Sequence, residues 1–204
     1  MSPAPLWVIG AGGHAKVVAA TARAAGYEVA ALVDPRPELR GASVLGAPVV
    51  GEDVPVPDAA ELVVAVGDNR VRSRLAARHA SHAFATLVHP RASLAEEVSV
   101  GAGSVVFAHA VLQPGARVGR HAIVNTAAVV EHDCALADLV QVASGATLAG
   151  GVSAGEGAFV GAGATVLPGV RLGAWCVVGA GAVVVRDVPD GATVVGVPAR
   201  PLAR

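Results

Sequence analysis

Aliphatic residues recur at every sixth position through the second half of the chain. From Val88 to Val184 these positions hold Val or Leu, with Ala154 as the exception. Small residues recur four positions further on, among them Cys134 and Cys176. A period of six fits neither an α-helix nor a strand with alternating faces. It is typical of a solenoid whose three-sided coils use six residues for each side.

The first part of the chain follows a different pattern. Apolar runs that predict strands occupy residues 6–9, 28–33, 62–66 and 84–88. A helical pattern extends from the glycine loop to Gly26, and a second covers residues 69–79 with Asp68 or Asn69 as its N-cap. The stretch between Arg36 and Asp58 is expected to be mostly loop. Strand–helix–strand order predicts a Rossmann-like α/β domain with a parallel sheet.

These two patterns predict two domains. Residues 1–87 are expected to form the Rossmann-like domain, and residues 88–204 the all-β solenoid. Solenoids need their ends covered. The segment 194–204, which contains Pro198 and Pro201, is expected to cap the far end of the coils.

Composition excludes several classes of function. The chain is 53% hydrophobic and 15% charged, with a net charge of −1 and no basic run. Nucleic acid and anionic membranes are therefore not expected as partners. No apolar stretch reaches the roughly 18 residues of a membrane span, and the first residues lack the positive region of a signal peptide. A cytoplasmic protein is expected. Cys134 and Cys176 are interpreted as small buried hydrophobes, with a disulfide or a nucleophilic thiol as the alternatives.

Three segments resemble the PglD/NeuD-type sugar acyltransferases. They are the glycine loop at 10–17 (GAGGHAKV), residues 66–72 (VGDNRVR) and residues 125–134 (NTAAVVEHDC). The resemblance implies a left-handed parallel β-helix of hexapeptide repeats, assembled as a homotrimer with active sites between subunits. It also implies acetyl transfer from acetyl-CoA to a nucleotide-activated amino sugar, for example a UDP-linked 4-amino-4,6-dideoxy sugar.

His132 is the predicted catalytic base. It lies between Glu131 and Asp133, near a predicted corner of the coil, so its side chain should face outward. A free imidazole has a pKa of about 6.5 and can accept a proton near neutral pH. A carboxylate on the far ring nitrogen fixes the tautomer and raises basicity, and the resemblance assigns this part to Asp133. His132 would take the proton of the sugar amine as that amine attacks the thioester.

The glycine loop is the predicted nucleotide-sugar site. The N–H groups of Gly12 and Gly13 at a helix N-terminus can bind a diphosphate. Asp34 stands about where a ribose-binding acid is expected, and the resemblance places His14 near the sugar or phosphate. Gly67 and Asn125 complete the predicted substrate contacts. A role for the glycines in the tight turn alone is the alternative.

Acetyl-CoA is expected in the groove between neighbouring β-helices. Small residues let a pantetheine arm lie against the backbone, although the turns of a hexapeptide coil also need them. The predicted contacts are Gln141, Gly150, Ala162 and Ala180. Gln141 stands where the family usually has a second His, nine residues after the first. Because Gln does not titrate, the chemistry is expected to depend on His132 alone.

Other functions are compatible with parts of the sequence. O-acetylation of a sugar, such as a sialic acid, would use the same residues. A non-catalytic nucleotide-binding scaffold is compatible with Gln141. An NAD-dependent enzyme would need a second half-sheet and a hydride-transfer site, and neither is visible. His109 and His121 lie on different predicted faces from each other, so no metal site is expected with His132.

Overall fold

The computed structural model describes residues 5–202. The chain divides into two compact units, one ending at His89 and the other beginning at Pro90. No helix within the described residues has the length and apolar character needed to cross a membrane.

The first unit contains a sheet flanked by helices. Its helices are α1 (Gly13–Ala24) and α2 (Asn69–Arg78), and a 3-10 helix covers Pro37–Leu39. Its strands are β1 (Leu6–Ile9), β2 (Val29–Val33), β3 (Ser43–Val44), β4 (Ala47–Val50), β5 (Glu61–Val64), β6 (Ala83–Phe84) and β7 (Leu87–Val88). The sheet has the order β3-β4-β2-β1-β5-β6.

β1 lies in the interior of the sheet, between β2 and β5. β1 pairs in parallel with β2 on one side and with β5 on the other. The chain therefore leaves β1 in one direction and later returns on its other side. The point at which the strand order reverses in this way is called a topological switch point. Open α/β sheets generally bind ligands in the crevice at the carboxyl ends of the two strands that flank it, which here are β1 and β5. The glycine loop and Gly67 both lie at this edge, directly after β1 and β5.

Two details of this unit differ from the sequence prediction. The expected loop between Arg36 and Asp58 contains the antiparallel pair β3–β4, and β4 extends the sheet beside β2. Its turn uses Leu45 and Gly46 at φ values of 50° and 84°, and Leu is an uncommon residue at positive φ. Pro48 inside β4 also argued against a strand. The single strand expected at 84–88 is instead two short strands, β6 and β7.

The second unit is a parallel β-helix of the left-handed type, as the sixfold period and the resemblance predicted. Its strands are β8 (Ser93–Leu94), β9 (Ser99–Val100), β10 (Val105–Val106), β11 (Val111–Leu112), β12 (Arg117–Val118), β13 (Ile123–Val124), β14 (Val129–Val130), β15 (Ala135–Leu136), β16 (Gln141–Val142), β17 (Thr147–Leu148), β18 (Ser153–Ala154), β19 (Phe159–Val160), β20 (Thr165–Val166), β21 (Arg171–Leu172), β22 (Val177–Val178), β23 (Val183–Val184), β24 (Thr193–Val195) and β25 (Arg200–Pro201).

Three sheets form the sides of the coil. Within the second unit, side 1 contains β10, β13, β16, β19, β22, β24 and β25; side 2 contains β8, β11, β14, β17, β20 and β23; side 3 contains β9, β12, β15, β18 and β21. A strand pairs with the one 18 residues later, as Ile123 does with Gln141. At the end of side 1, β24 and β25 form an antiparallel pair, within the segment predicted to be a cap.

The aliphatic ladder fills the inside of the coils. Val106, Leu112, Val130 and Leu148 are fully buried, and burial of each such side chain is worth about 1.5–3 kcal/mol. The ladder was expected to be buried throughout, but Leu94 is 37% exposed. It lies in β8, the first strand of side 2, which has a neighbouring strand on one side only.

Most of the predicted site residues of the second unit lie at the corners between the sides. In one coil, residues 125–128 form corner 1–2, residues 131–134 form corner 2–3, and residues 137–140 form corner 3–1. Each corner recurs 18 residues later, so side chains at equivalent corners stack along the solenoid. This stacking decides which predicted site residues are neighbours.

Candidate active site

His132 and Asp133 form an exposed pair at corner 2–3. His132 Nδ1 lies 2.9 Å from Asp133 Oδ2, and the two side chains are 64% and 74% exposed. The backbone of the pair is tied to both adjacent coils. Asp133 N donates to Pro114 O, and Gly151 N donates to His132 O. When Nδ1–H donates to the carboxylate, Nε2 carries the lone pair and can accept a proton.

The ring of His132 extends toward the next coil. A Cβ built on Gly150 would overlap the imidazole: Nε2 would be the nearest ring atom, and Cε1 would lie 2.6 Å away. The space that Gly150 leaves free is occupied by this ring, and its predicted contact with acetyl-CoA stays a prediction. Toward the previous coil, Asp133 Oδ1 lies 2.9 Å from the position of a Cβ on Gly115. Glycines in the coils on either side therefore make room for the pair.

Cys134, the next residue, has no place in this chemistry. Its side chain is fully buried, and Sγ donates a hydrogen bond to Ala149 O. Burial raises the pKa of the Cys134 thiol, which disfavours the nucleophilic thiolate. Both cysteines are free and buried, so the structure shows no disulfide between them.

The predicted acetyl-CoA contacts at Ala162 and Ala180 stack at corner 1–2. Both are exposed, and the neighbouring Gly163 and Gly181 have nothing within 4 Å of a Cβ position. An extended thiol cofactor could lie on this open row of small residues. Asn125 lies at the same corner, where its Oδ1 accepts from Thr126 N.

One chain does not bring all of these residues together. His132 lies at corner 2–3, and a strand of side 2 separates it from corner 1–2. Gln141 opens β16 on side 1 and is 8% exposed. Its Oε1 is buried and has no hydrogen-bond partner among residues 5–202. Corner 2–3 of one chain thus holds the predicted base, whereas corner 1–2 holds the open row of small residues.

The glycine loop of the first unit has the geometry of an anion site. Gly12 is the N-cap of α1 and Gly13 is its first helical residue, which directs backbone N–H groups toward the switch point. Arg36 Nη2 lies 3.7 Å from a Cβ position on Gly12. His14 is half-buried, and its pKa is lowered by burial and by the charge of Arg72.

Asp34 holds this loop together. Its carboxylate accepts from Ala11 N at 2.8 Å and from Arg36 N, Nε and Nη2 at 2.8–3.1 Å. The bond from Arg36 is the main cause that lowers the Asp34 pKa to about 2. Four donors occupy the roughly four acceptor positions of a carboxylate. Asp34 therefore positions Arg36, and its predicted contact with ribose stays a prediction.

Comparisons with known proteins agree with this architecture. Residues 5–79 match the PglD N-terminal domain family, and residues 155–186 match the bacterial transferase hexapeptide family (six repeats). No curated protein matches the chain. Among solved structures, the acetyltransferase domain of PglB from Neisseria gonorrhoeae FA1090 is 42% identical over 98% of this chain and 100% of that chain, with a TM-score of 0.90.

Two further structures are similar along nearly the whole chain. A histidine-to-asparagine mutant of perosamine N-acetyltransferase from Caulobacter crescentus, in complex with CoA and GDP-perosamine, is 43% identical over 100% of this chain and 99% of that chain, with a TM-score of 0.92. The chain belongs to the PglD family of sugar acetyltransferases. WeeI from Acinetobacter baumannii AYE is 27% identical over 98% of this chain and 100% of that chain, with a TM-score of 0.88.

This family member is an acetyl-CoA-dependent acyltransferase. Within the described residues, no group of three His, Cys, Asp or Glu side chains is arranged to hold a metal ion. His109 and His121 lie at different corners, 1–2 and 3–1. His132 and Asp133 at corner 2–3 offer acid–base chemistry.

Two arginines of the first unit were not assigned a role from the sequence. Arg72 is 1% exposed; it donates to Val66 O, Gly67 O and Asn69 Oδ1 at 2.8–3.3 Å. Burial lowers its pKa to about 10, so it stays charged at neutral pH. The position of Arg72 on the buried face of α2 could have indicated from the sequence that its side chain has a structural role. For Arg36, the spacing of two residues from Asp34 could have indicated an ion pair.

Proposed function

We propose that this enzyme transfers the acetyl group of acetyl-CoA to the amine of a nucleotide-linked amino sugar, with His132 as general base. The observation that carries the proposal is the exposed His132–Asp133 pair at 2.9 Å. The relatives support it, because one is named a perosamine N-acetyltransferase and is bound to CoA and GDP-perosamine.

The pair can perform the proton transfer that amide formation needs. With Nδ1–H donated to Asp133, Nε2 of His132 accepts a proton from the attacking amine. The new C–N bond forms as the C–S bond of the thioester breaks. The protonated ring then returns its proton to the departing sulfur. Asp133 stabilises the imidazolium in between and keeps the ring in the productive tautomer.

Acetyl-CoA supplies the activated acyl group, and corner 1–2 supports its binding. Exposed Ala162 and Ala180 form a row with open space beside it, so the pantetheine arm can approach the backbone. Gln141 Oε1 is a buried acceptor without a partner in the described part of the chain. A buried, unpaired acceptor is costly, and we assign Gln141 to the cofactor as the counterpart of the usual second His.

We further propose that the enzyme is a homotrimer with active sites between subunits. His132 and the row of Ala162 and Ala180 lie at different corners of the same chain, so a site that uses both needs two chains. Closed cyclic symmetry lets every corner 2–3 meet a neighbouring corner 1–2. Light scattering tests this: a trimer supports it, and a monomer would leave each site incomplete.

The first unit is proposed to bind the nucleotide. The N-terminus of α1 presents positive potential to a diphosphate, and Arg36, whose charge Asp34 balances, places Nη2 beside Gly12 as a hydrogen-bond donor. The charge of Arg72 adds to this potential beside His14. The sugar and the base of the nucleotide are left to experiment, with GDP- and UDP-linked 4-amino sugars as the first acceptors to test.

Coenzyme A release tests the whole proposal. The wild type should release CoA from acetyl-CoA only when an amino-sugar nucleotide is present, and the product should gain one acetyl group on nitrogen. His132→Ala should lower kcat by at least about a hundredfold. Release with hydroxyl acceptors alone would favour O-acetylation. No release with any acceptor would favour a non-catalytic scaffold.

A further inference from the structure

Gly150 has no backbone reason to be glycine. Its φ is not positive, in contrast to its neighbour Gly151 (φ 69°) and to Gly169 (φ 70°) at the same corner of the next coil. Any L-residue can adopt the backbone conformation of Gly150. The three atoms nearest to a Cβ built there are all ring atoms of His132. The imidazole is thus the group that a side chain at this position would meet.

The backbone around Gly150 is held firmly. Gly169 N donates to Gly150 O at 3.0 Å, and Gly151 N donates to His132 O at 2.9 Å. Gly150 therefore cannot move away easily when the ring approaches. The ring itself is 64% exposed, and its hydrogen bond to Asp133 involves Nδ1 only. One hydrogen bond leaves an exposed ring free to tilt, so a second contact is needed to fix its plane.

We propose that Gly150 is a positioning residue for His132. Its side-chain-free face is the seat of the imidazole: the part of the ring that carries Nε2 packs against this face, and the contact fixes the direction of the Nε2 lone pair. This inference rests on the proposed function of His132 as base. It gives Gly150 a role in acid–base geometry, which the sequence analysis did not assign to it.

Gly115 makes room for Asp133 in a similar way, but its backbone conformation is a second reason for a glycine there. A Cβ on Gly115 would lie 2.9 Å from Asp133 Oδ1. However, Gly115 has a φ of 75°, which already favours glycine. The effect of a substitution there would mix backbone strain with displacement of the carboxylate. At Gly150 the effect of an added side chain on the neighbouring ring can be measured without backbone strain.

The test is Gly150→Ala in the full-length enzyme. The new methyl group should push the exposed ring aside at little cost in stability, because an exposed side chain can rotate. A misplaced base slows proton transfer, so kcat should fall about tenfold or more, with a smaller change in the KM for acetyl-CoA. The pH–rate profile should also change, and the His132 ring signals in NMR spectra should shift.

Gly191→Ala is the matched control. It adds a methyl group at positive φ in the same unit, with nothing within 4 Å of the new atom, and Gly191 N donates to Ala174 O rather than to Gly150. It should lower the melting temperature more than Gly150→Ala does, yet retain kcat. Loss of kcat in both variants would indicate general damage to the coil and would overturn the proposal.

Combining Gly150→Ala with His132→Ala distinguishes the positioning of His132 from any other role of Gly150. With the ring removed, Gly150→Ala should have no further effect on the residual rate or on CoA affinity. A raised KM for acetyl-CoA with unmoved ring signals would show a direct cofactor contact and overturn the seat. If His132→Ala proves fully active, the proposed function fails, whereas the ring signals of Gly150→Ala still report on the seat.

Discussion

Asp133 lies beside His132 in the sequence, and its Oδ2 is 2.9 Å from His132 Nδ1 at one corner of the solenoid. Asp133 adopts a φ of 60°, a conformation that Asn tolerates well and most other residues do not. Asp133→Asn therefore removes the charge with little backbone strain. We expect kcat to fall roughly 10–100-fold, because the imidazolium loses its counter-charge and the tautomer is no longer fixed.

Steady-state kinetics across pH measure this effect. KM for both substrates should change much less than kcat, since Asp133 acts through His132. Asp138→Asn, at the next corner, is a suitable comparison because its Oδ1 accepts from Arg120 N rather than from the ring. Full activity in Asp133→Asn would show that the carboxylate has no part in catalysis.

The Asp34–Arg36 pair should make stability depend on acid. The folded-state pKa of Asp34 is about 2, below the roughly 3.9 of an unfolded Asp. The resulting stabilisation is present above pH 4 and is lost as the pH falls toward 2. We expect Asp34→Asn to lower the free energy of unfolding by about 2 kcal/mol at pH 7 and by much less at pH 2.5.

Urea unfolding at the two pH values provides the measurement. Asp58→Asn replaces an exposed carboxylate of the same unit and should change little at either pH. An equal loss for Asp34→Asn at both pH values would show that the neutral hydrogen bonds, rather than the charge, account for its contribution.

Two leucines of the ladder should differ in their cost of truncation. Leu148 is fully buried, whereas Leu94 is 37% exposed at the first strand of side 2. Leu148→Ala leaves a cavity between coils and should cost about 2–5 kcal/mol. Leu94→Ala should cost clearly less, about 1 kcal/mol, because water already reaches the side chain. Thermal unfolding of both variants compares them; equal losses would contradict the burial difference.

The thiols should be inert in the folded protein. Burial raises the pKa of Cys176 to about 11, and Cys134 is buried as well. At pH 8 a thiol reagent should react with neither until denaturant is added. Cys176→Ala should retain full acetyl transfer. Rapid labelling of the native protein, with loss of activity, would indicate that a thiol takes part in catalysis.

Local patterns were enough to predict much of the molecule. The ladder from Leu112 to Val184 is buried as the sixfold period requires, because a three-sided coil repeats the same environment every six residues. The motif around His132 predicted an outward-facing ring beside a carboxylate, since neighbouring residues at a corner are close in any such coil. By contrast, β3 and β4 were missed because Leu45 takes a positive φ that no local pattern signals.

The sequence by itself determined the three-sided coil, the division into two kinds of domain and the His132–Asp133 pair. Each of these depends on residues that are close together in the chain. Only the tertiary structure decided how the side chains of stacked coils contact one another. Stacking of coils placed Gly150 against His132, and it separated His132 from Ala162 and Ala180 by a whole side. Likewise, Asp34 met Ala11 through sheet pairing. Such contacts follow from how coils and strands align, and this alignment is a property of the folded chain as a whole.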